Sequence, residues 1–354
     1  MPFASNRTHK RELFVAVFAA TLIPVVLFSQ PSSFDSRSGQ TVSVSGPQNA
    51  VLDHEVRADM TFLTSDELRG RGSATRDEHL AAMFAAAKFQ SLGLEPGGTG
   101  STFLQKVALP SVLSPRAQQR ISRLENVPRT ETWNAIGILR GSDDDNEVVL
   151  LTAHLDHLGV GAPNATGDNI YNGADDDASG TTAVLALAEF LVGGPRPRRT
   201  IIFALFGSEE LGGFGNAGFL AHPPVPLGSI VANLEFEMIG RPDPAIPNDS
   251  LWLTGFERSN LGSELVKHGA HLLPDPHPEQ NFFQRSDNIA LARQGIVAET
   301  VSSFGLHKDY HQQSDELGTI DFNHLEGAIA SMVEPIRWLA NNKWRPAWNP
   351  GGKP

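Results

Sequence analysis

The sequence predicts an α/β fold with one mixed, mostly parallel central sheet and helices on both faces. Three observations carry this. Strand-length runs alternate with helical periods through most of the chain. The runs at residues 148–153, 200–206 and 230–236 are largely apolar, as strands covered on both faces are. Acids and a histidine follow directly on these runs: His154, Glu209, Glu210 and Glu237. In open α/β sheets ligands bind beyond the carboxyl ends of strands.

The chain has 354 residues, 40% hydrophobic and 19% charged, which suits one large globular domain. Its formal net charge of -12 argues against a nucleic-acid partner, which needs a basic footprint. Cysteine is absent, so disulfides and thiolate ligands are excluded. A metal site in this chain must draw on His, Asp and Glu.

Residues 1–30 are expected to be a signal peptide or N-terminal anchor. Arg7, Lys10 and Arg11 precede an apolar run from Leu13 to Phe28, a better match to a signal core than to a membrane span. Export to the periplasm or the exterior is the expectation, with membrane attachment through residues 13–28 if the segment stays uncleaved. Residues 31–48 read as a Ser/Gly-rich linker, 49–342 as one catalytic domain and 343–354 as a Pro/Gly-rich tail, on the surface or disordered.

Within the domain, residues 51–94 read as helical, broken at Arg69-Gly-Arg-Gly-Ser. Residues 102–132, with Pro110 and Pro115, read as an edge strand and an irregular surface connection. Strands are expected at 134–139 and 148–153, separated by the acidic turn at 142–146, then at 200–206, 230–236, 251–254 and 295–300. Helices are expected at 179–191, 214–220, 260–269, 289–293 and 322–339.

The chemistry centres on Asn172-Gly-Ala-Asp-Asp-Asp-Ala-Ser-Gly. Alone, such an acidic run is most often a solvated helix cap. Packed like charges need neutralising, and a divalent cation does this for carboxylates. His154 and Asp156 alternate on one extended segment and face the same way. Glu209 and Glu210 are adjacent and diverge, so one can bind a cation while the other faces a substrate. A free carboxylate beside a metal-activated water is what hydrolysis requires.

Five blocks then carry a resemblance: Ala153-His-Leu-Asp-His-Leu-Gly, the Asn172 block, Ser208-Glu-Glu-Leu-Gly, Glu237-Met-Ile-Gly-Arg and Asp309-Tyr-His-Gln-Gln-Ser-Asp. In order and spacing they resemble the M28 family of di-zinc aminopeptidases, in its bacterial secreted type. The resemblance runs over about residues 60–329 and includes Phe62-Leu-Thr-Ser-Asp-Glu-Leu-Arg-Gly-Arg. It implies a three-layer zinc-exopeptidase sandwich with two Zn2+ as cofactors. It implies that His154 and Glu237 bind one zinc, Glu210 and His311 the other, and that Asp176 bridges them. Glu209 would be the general base, Asp156 would orient His154, and Tyr310 would polarise the scissile carbonyl. It also implies a cis peptide bond at Asp176–Asp177.

Two departures stand out. Relatives have Asp where this chain has Glu237, and Glu235, two residues earlier on the same strand face, is a rival ligand. Arg285-Ser-Asp is followed by Asn288 where relatives have His. His157, His222, His268, His271, His277 and His307 are read as non-ligands, His307 being the nearest exception. The implied function is an aminopeptidase acting on peptides with a free N-terminus. A glutaminyl cyclase or carboxypeptidase on the same scaffold is the enzymatic alternative, and such cyclases use one zinc. A transferrin-receptor-like binding module is the non-catalytic alternative, against which the full ligand set and Glu209 argue.

Overall fold

Apolar runs buried on both faces form the central strands in the computed structural model, which describes residues 47–142 and 146–354. The expected export segment, the linker up to residue 46 and Asp143–Asp145 of the acidic turn lie outside the described residues. The strands are β1 (Glu95–Pro96), β2 (Leu104–Ala108), β3 (Glu131–Leu139), β4 (Val148–His154), β5 (Gly159–Val160), β6 (Ile170–Tyr171), β7 (Thr200–Phe206), β8 (Ile230–Phe236), β9 (Leu251–Leu253), β10 (Leu272–Pro274) and β11 (Val297–Ser302). The helices are α1 (Pro47–Leu63), α2 (Arg76–Ser91), α3 (Pro115–Ile121), α4 (Gly180–Val192), α5 (Phe214–Ala221), α6 (Leu261–Lys267), α7 (Asn288–Arg293) and α8 (Phe322–Asn341).

Nine strands form one sheet in the order β1-β3-β7-β4-β8-β11-β9-β10, with β2 also paired to β3. Its centre, β7-β4-β8-β11, is parallel, and antiparallel partners β3 and β9 flank it. This is the mixed, mostly parallel sheet expected from the sequence. Val149, Leu151, Ile201, Phe203 and Leu205 pack with α2, α4 and α8 on one face. Leu150, Ile202, Ala204 and Phe206 pack on the other face with Phe219 of α5 and Leu291 of α7. Both faces are therefore apolar, which is why the central runs lack a polar alternation. Phe203 is fully buried, and truncating such a phenylalanine to Ala costs about 3–5 kcal/mol.

Residues 102–132 hold the expected edge strand, β2, but also a helix, α3, where an irregular connection was expected. Ser114 caps α3 by accepting the Ala117 N–H at 3.2 Å, and Pro115 occupies its first turn. Proline is favoured there because that N–H lacks an intrahelical partner anyway. The chain's end is docked: the Trp348 indole donates to Gly295 O at 3.2 Å, and Asn349 donates to Glu257 O at 2.9 Å. Among the described residues no helix is long and apolar enough to cross a membrane.

Candidate active site

The parallel register brings the chemical residues together. His154 closes β4 opposite Phe206, the last residue of β7, so Gly207-Ser-Glu-Glu leaves beside it. Thr152 of β4 lies opposite Glu235 of β8, which places Glu237 just past the same edge. Ser208, Met238 and His311 have φ of 55, 53 and 57, left-handed values uncommon for residues other than glycine. These turns lie beside Glu209, beside Glu237 and at His311 itself. Non-glycine residues in this region cluster at functional sites.

The Asp175–Asp177 loop enters α4 from above the sheet, and the Asp176–Asp177 peptide is cis. Its outer two carboxylates are occupied by the protein. Asp177 accepts from the backbone N–H groups of His154 (3.2 Å), Gly180 (3.0 Å) and Met238 (3.1 Å), tying β4, α4 and β8 together. Asp175 accepts from Gly240 N–H at 2.7 Å and lies 2.9 Å from His307 Nε2. Asp315 accepts from the N–H groups of Asp175 and Asp176 and pairs with Arg241. The like charges are thus largely settled by backbone dipoles and Arg241. The middle carboxylate is the one that stands between His154 and His311.

Asp176 offers one oxygen to each of two donor groups. Its Oδ1 lies 3.2 Å from His154 Nε2, and its Oδ2 lies 3.1 Å from His311 Nε2. The first group is His154, Asp176 and Glu237. The second is Asp176, Glu210 and His157, with His311 Nε2 2.8 Å from Glu210 Oε1. His154 Nε2, Asp176 Oδ2, Glu210 Oε1 and His157 Nδ1 are buried yet make no hydrogen bond. Buried polar atoms without partners are costly, so converging orphans point to an ion. A nitrogen-and-oxygen donor set without sulfur fits zinc.

The electrostatics follow from this crowding. Burial and Glu210 push Asp176 up, but His157, His154 and His311 outweigh them and hold it below the ordinary range. Burial would lower His311, yet Glu210 and Asp176 raise it to about 10. Burial, reinforced by Glu235, raises Glu237 to about 8. Burial raises Glu209 well above the ordinary range, with His154 opposing.

Glu235, the rival, is not in the cluster. Its carboxylate accepts from Ser286 Oγ (2.9 Å), Asn288 N–H (2.7 Å) and Thr300 Oγ1 (3.1 Å). It holds the start of α7, and the Asn288 amide meanwhile donates to Phe283 O at 3.2 Å. Asp156 also differs from expectation. His154 Nδ1 lies 3.0 Å from the Asp156 backbone oxygen and 3.7 Å from its carboxylate. That carboxylate accepts instead from the Glu209 N–H at 2.9 Å, the Glu210 N–H at 3.3 Å and the Ser73 hydroxyl. Tyr310 stacks on His311 with ring centroids 3.9 Å apart. It lines both the cleft over Glu209 and a mixed pocket where Trp252, Phe282 and Phe304 meet Glu237 and Arg285.

Three neighbours escaped the sequence reading. His157, read as a non-ligand, stands in the second donor group. It lies three residues past the end of β4, in the turn that follows His154. Arg120 of α3 pairs with Glu210 through Oε2 and the backbone oxygen. Arg71 is fully buried and donates to Leu155 O (2.9 Å), Leu63 O (2.5 Å), Asn172 O (2.6 Å) and Gly173 O (2.9 Å). Its guanidinium lies beneath the acidic loop, which gives the Arg-Gly-Arg segment its role. His307 faces Asp175, His277 faces Asp243 at 2.8 Å, and His268 stacks on Trp338.

A sequence profile described as peptidase family M28 matches residues 134–337. A probable zinc metalloprotease of Leptosphaeria maculans is 32% identical over 162 residues, 46% of this chain and 34% of that protein. A vacuolar membrane protease of Clavispora lusitaniae is 26% identical over 242 residues, 66% of this chain and 20% of that protein. The chain thus spans about a third of one relative and a fifth of the other. Among solved structures, the Legionella pneumophila LapA aminopeptidase superposes with a TM-score of 0.59 at 18% identity, covering 87% of this chain and 78% of that one. A Porphyromonas gingivalis glutaminyl cyclase gives 0.58 at 15%, covering 80% and 97%. At these identities the likeness shows the fold, which both activities share.

Proposed function

The chain belongs to peptidase family M28, and from that premise we propose a zinc-dependent exopeptidase that removes N-terminal residues from peptides. The observation that carries this reading is the division of Asp176, one oxygen toward His154 and the other toward His311. His154 and Glu237 would hold one zinc, Glu210 and His311 a second, with Asp176 shared. When bound, the zinc ions supply Lewis acidity, lowering the pKa of water and polarising a carbonyl.

The remaining work falls to the chain's own side chains. Glu209 lines the cleft without being a member of either donor group. It takes the proton of the attacking water and passes it to the departing amine. The raised pKa that burial gives Glu209 suits a group that must release as well as accept a proton. Asp156 fixes the Glu209 backbone, and so where its carboxylate can reach. The Tyr310 phenol, kept protonated by burial and by Asp176, donates to the oxyanion that develops on the carbonyl. Residues 1–30 direct export, and vacuolar membrane proteases among the relatives suit a site outside the cytosol. N-terminal sequencing of exported protein should begin near residue 30, whereas intact Met1 in soluble cytosol contradicts export.

The test pairs metal analysis with hydrolysis of Leu-p-nitroanilide by protein purified without chelator. About two zinc equivalents and release of nitroaniline are expected. One equivalent with cyclisation of N-terminal glutamine favours the cyclase, and no metal with no turnover favours a binding module.

A further inference from the structure

Resting on that reading, we propose that His157 is a fourth protein ligand of the metal position shared by Asp176, Glu210 and His311. His157 is wholly buried, and neither ring nitrogen makes a hydrogen bond. Its Nδ1 lies 3.3 Å from Glu210 Oε1 and 3.8 Å from Asp176 Oδ2. His311 Nε2 approaches the same two oxygens at 2.8 and 3.1 Å. A tetrahedron with bonds of about 2.0–2.1 Å has edges of about 3.3 Å. Four measured edges fall around that length.

The bland alternative is a buried histidine hydrogen-bonded to Glu210. Nδ1 and Oε1 lie 3.3 Å apart, yet neither makes a hydrogen bond. With Asp176 they form one group whose donor atoms all lie within 4.8 Å of one another. Glu210 has only Oε1 to offer, because Arg120 takes Oε2. The two imidazoles meet edge to face, centroids 5.6 Å apart and planes at 67°, so both rings can reach the position without stacking. Gly173 makes room: a Cβ there would lie 2.5 Å from His157 Cγ. The backbone of His157 is pinned too, its N–H on Arg71 O at 3.1 Å and its carbonyl accepting Ser73 N–H at 3.1 Å.

With four protein residues this position would hold its metal more tightly than the position of His154, Asp176 and Glu237, which has three.

The experiment titrates zinc into the metal-free full chain against a chromophoric chelator, and records visible spectra of the cobalt-substituted protein. Wild type, His157→Ala and His157→Asn are compared, with thermal melting of each metal-free form as the folding check. Asparagine places an N–H donor near the Nδ1 position but is a poor zinc ligand. The wild type should bind two ions, one more tightly. Both variants should lose at least about 100-fold in the tighter class, beyond the 10–100-fold typical of merely supporting residues. The tetrahedral cobalt bands should change in both. Should His157→Ala misfold, His157→Asn carries the test alone. Wild-type affinity and spectrum in His157→Asn would make His157 a positioning residue and overturn the proposal, as would unaltered binding in His157→Ala. Fewer than two ions in the wild type would overturn the two-metal reading itself, and this inference with it.

Discussion

The Asp156 carboxylate grips the backbone N–H of Glu209 at 2.9 Å. A residue beyond the end of β4 therefore sets the position of the proposed proton carrier beyond β7. Asp156→Ala should release this turn while leaving all six proposed ligands in place. Zinc content should stay normal and kcat should fall by about 100-fold, the scale of a misplacement near 1 Å. Loss of zinc with the rate would show that Asp156 acts on the ligands instead.

Adjacent acids allow their roles to be separated. Glu209→Ala should keep its zinc and lose about 10²–10⁴ in turnover, the range for general acid–base help. Glu210→Ala should lose metal affinity, and excess zinc should restore part of its activity. Zinc content measured beside turnover decides the matter. Metal loss in Glu209→Ala with retention in Glu210→Ala would reverse the assignment.

Glu299 sits buried on β11, and burial raises its carboxyl to about 8. It stays protonated in the fold at pH values where the unfolded chain has ionised it. The unfolded state then binds fewer protons, so stability falls as pH rises from about 4.5 to about 8. Glu299→Gln removes this contribution. Melting temperatures of metal-free variant and wild type should coincide near pH 4 and separate by several degrees at pH 8, the variant higher. About 1 kcal/mol moves a chain of this size by about 2–4 °C. A constant difference across that range would place the group's ionisation elsewhere.

Arg71 donates to four backbone carbonyls and lies among the charges of Asp156 and Asp177, with its own pKa lowered to about 10 by burial. Arg71→Met leaves those carbonyls unpaired and the acids uncompensated. The expected loss exceeds about 3 kcal/mol, read as a lower denaturant midpoint with unchanged slope. Arg71→Lys should recover only part, because an ammonium cannot reach all the acceptors of a planar fork. Full recovery by lysine would reduce the role to charge alone.

The chain by itself determined the parallel centre of the sheet. Apolar runs in β4 and β7 and helical periods in α4 and α8 are local signals, and they survive folding because burial rewards the same pattern. The shorter pieces were less legible. β1 and β10 hold two or three residues, too few to show a period, and α3 lies in the segment expected to be an edge strand and an irregular connection.

The candidate site divides along the same line. The acidic run at Asp175–Asp177 and the strand-end positions of His154, Glu209 and Glu237 were legible as a cluster of chemical residues. Which member of each neighbouring set faces the cleft was not. Glu235 and Glu237 share a strand face, and only the arrival of Ser286, Asn288 and Thr300 occupies one and leaves the other free. Asp175 and Asp177 look like Asp176 in sequence, and tertiary N–H donors single out the middle acid. His157 and Arg120 approach Glu210 from separate segments, the turn after β4 and α3. Such convergence is set by register and loop packing, which act between residues far apart in the chain and leave no local period to read.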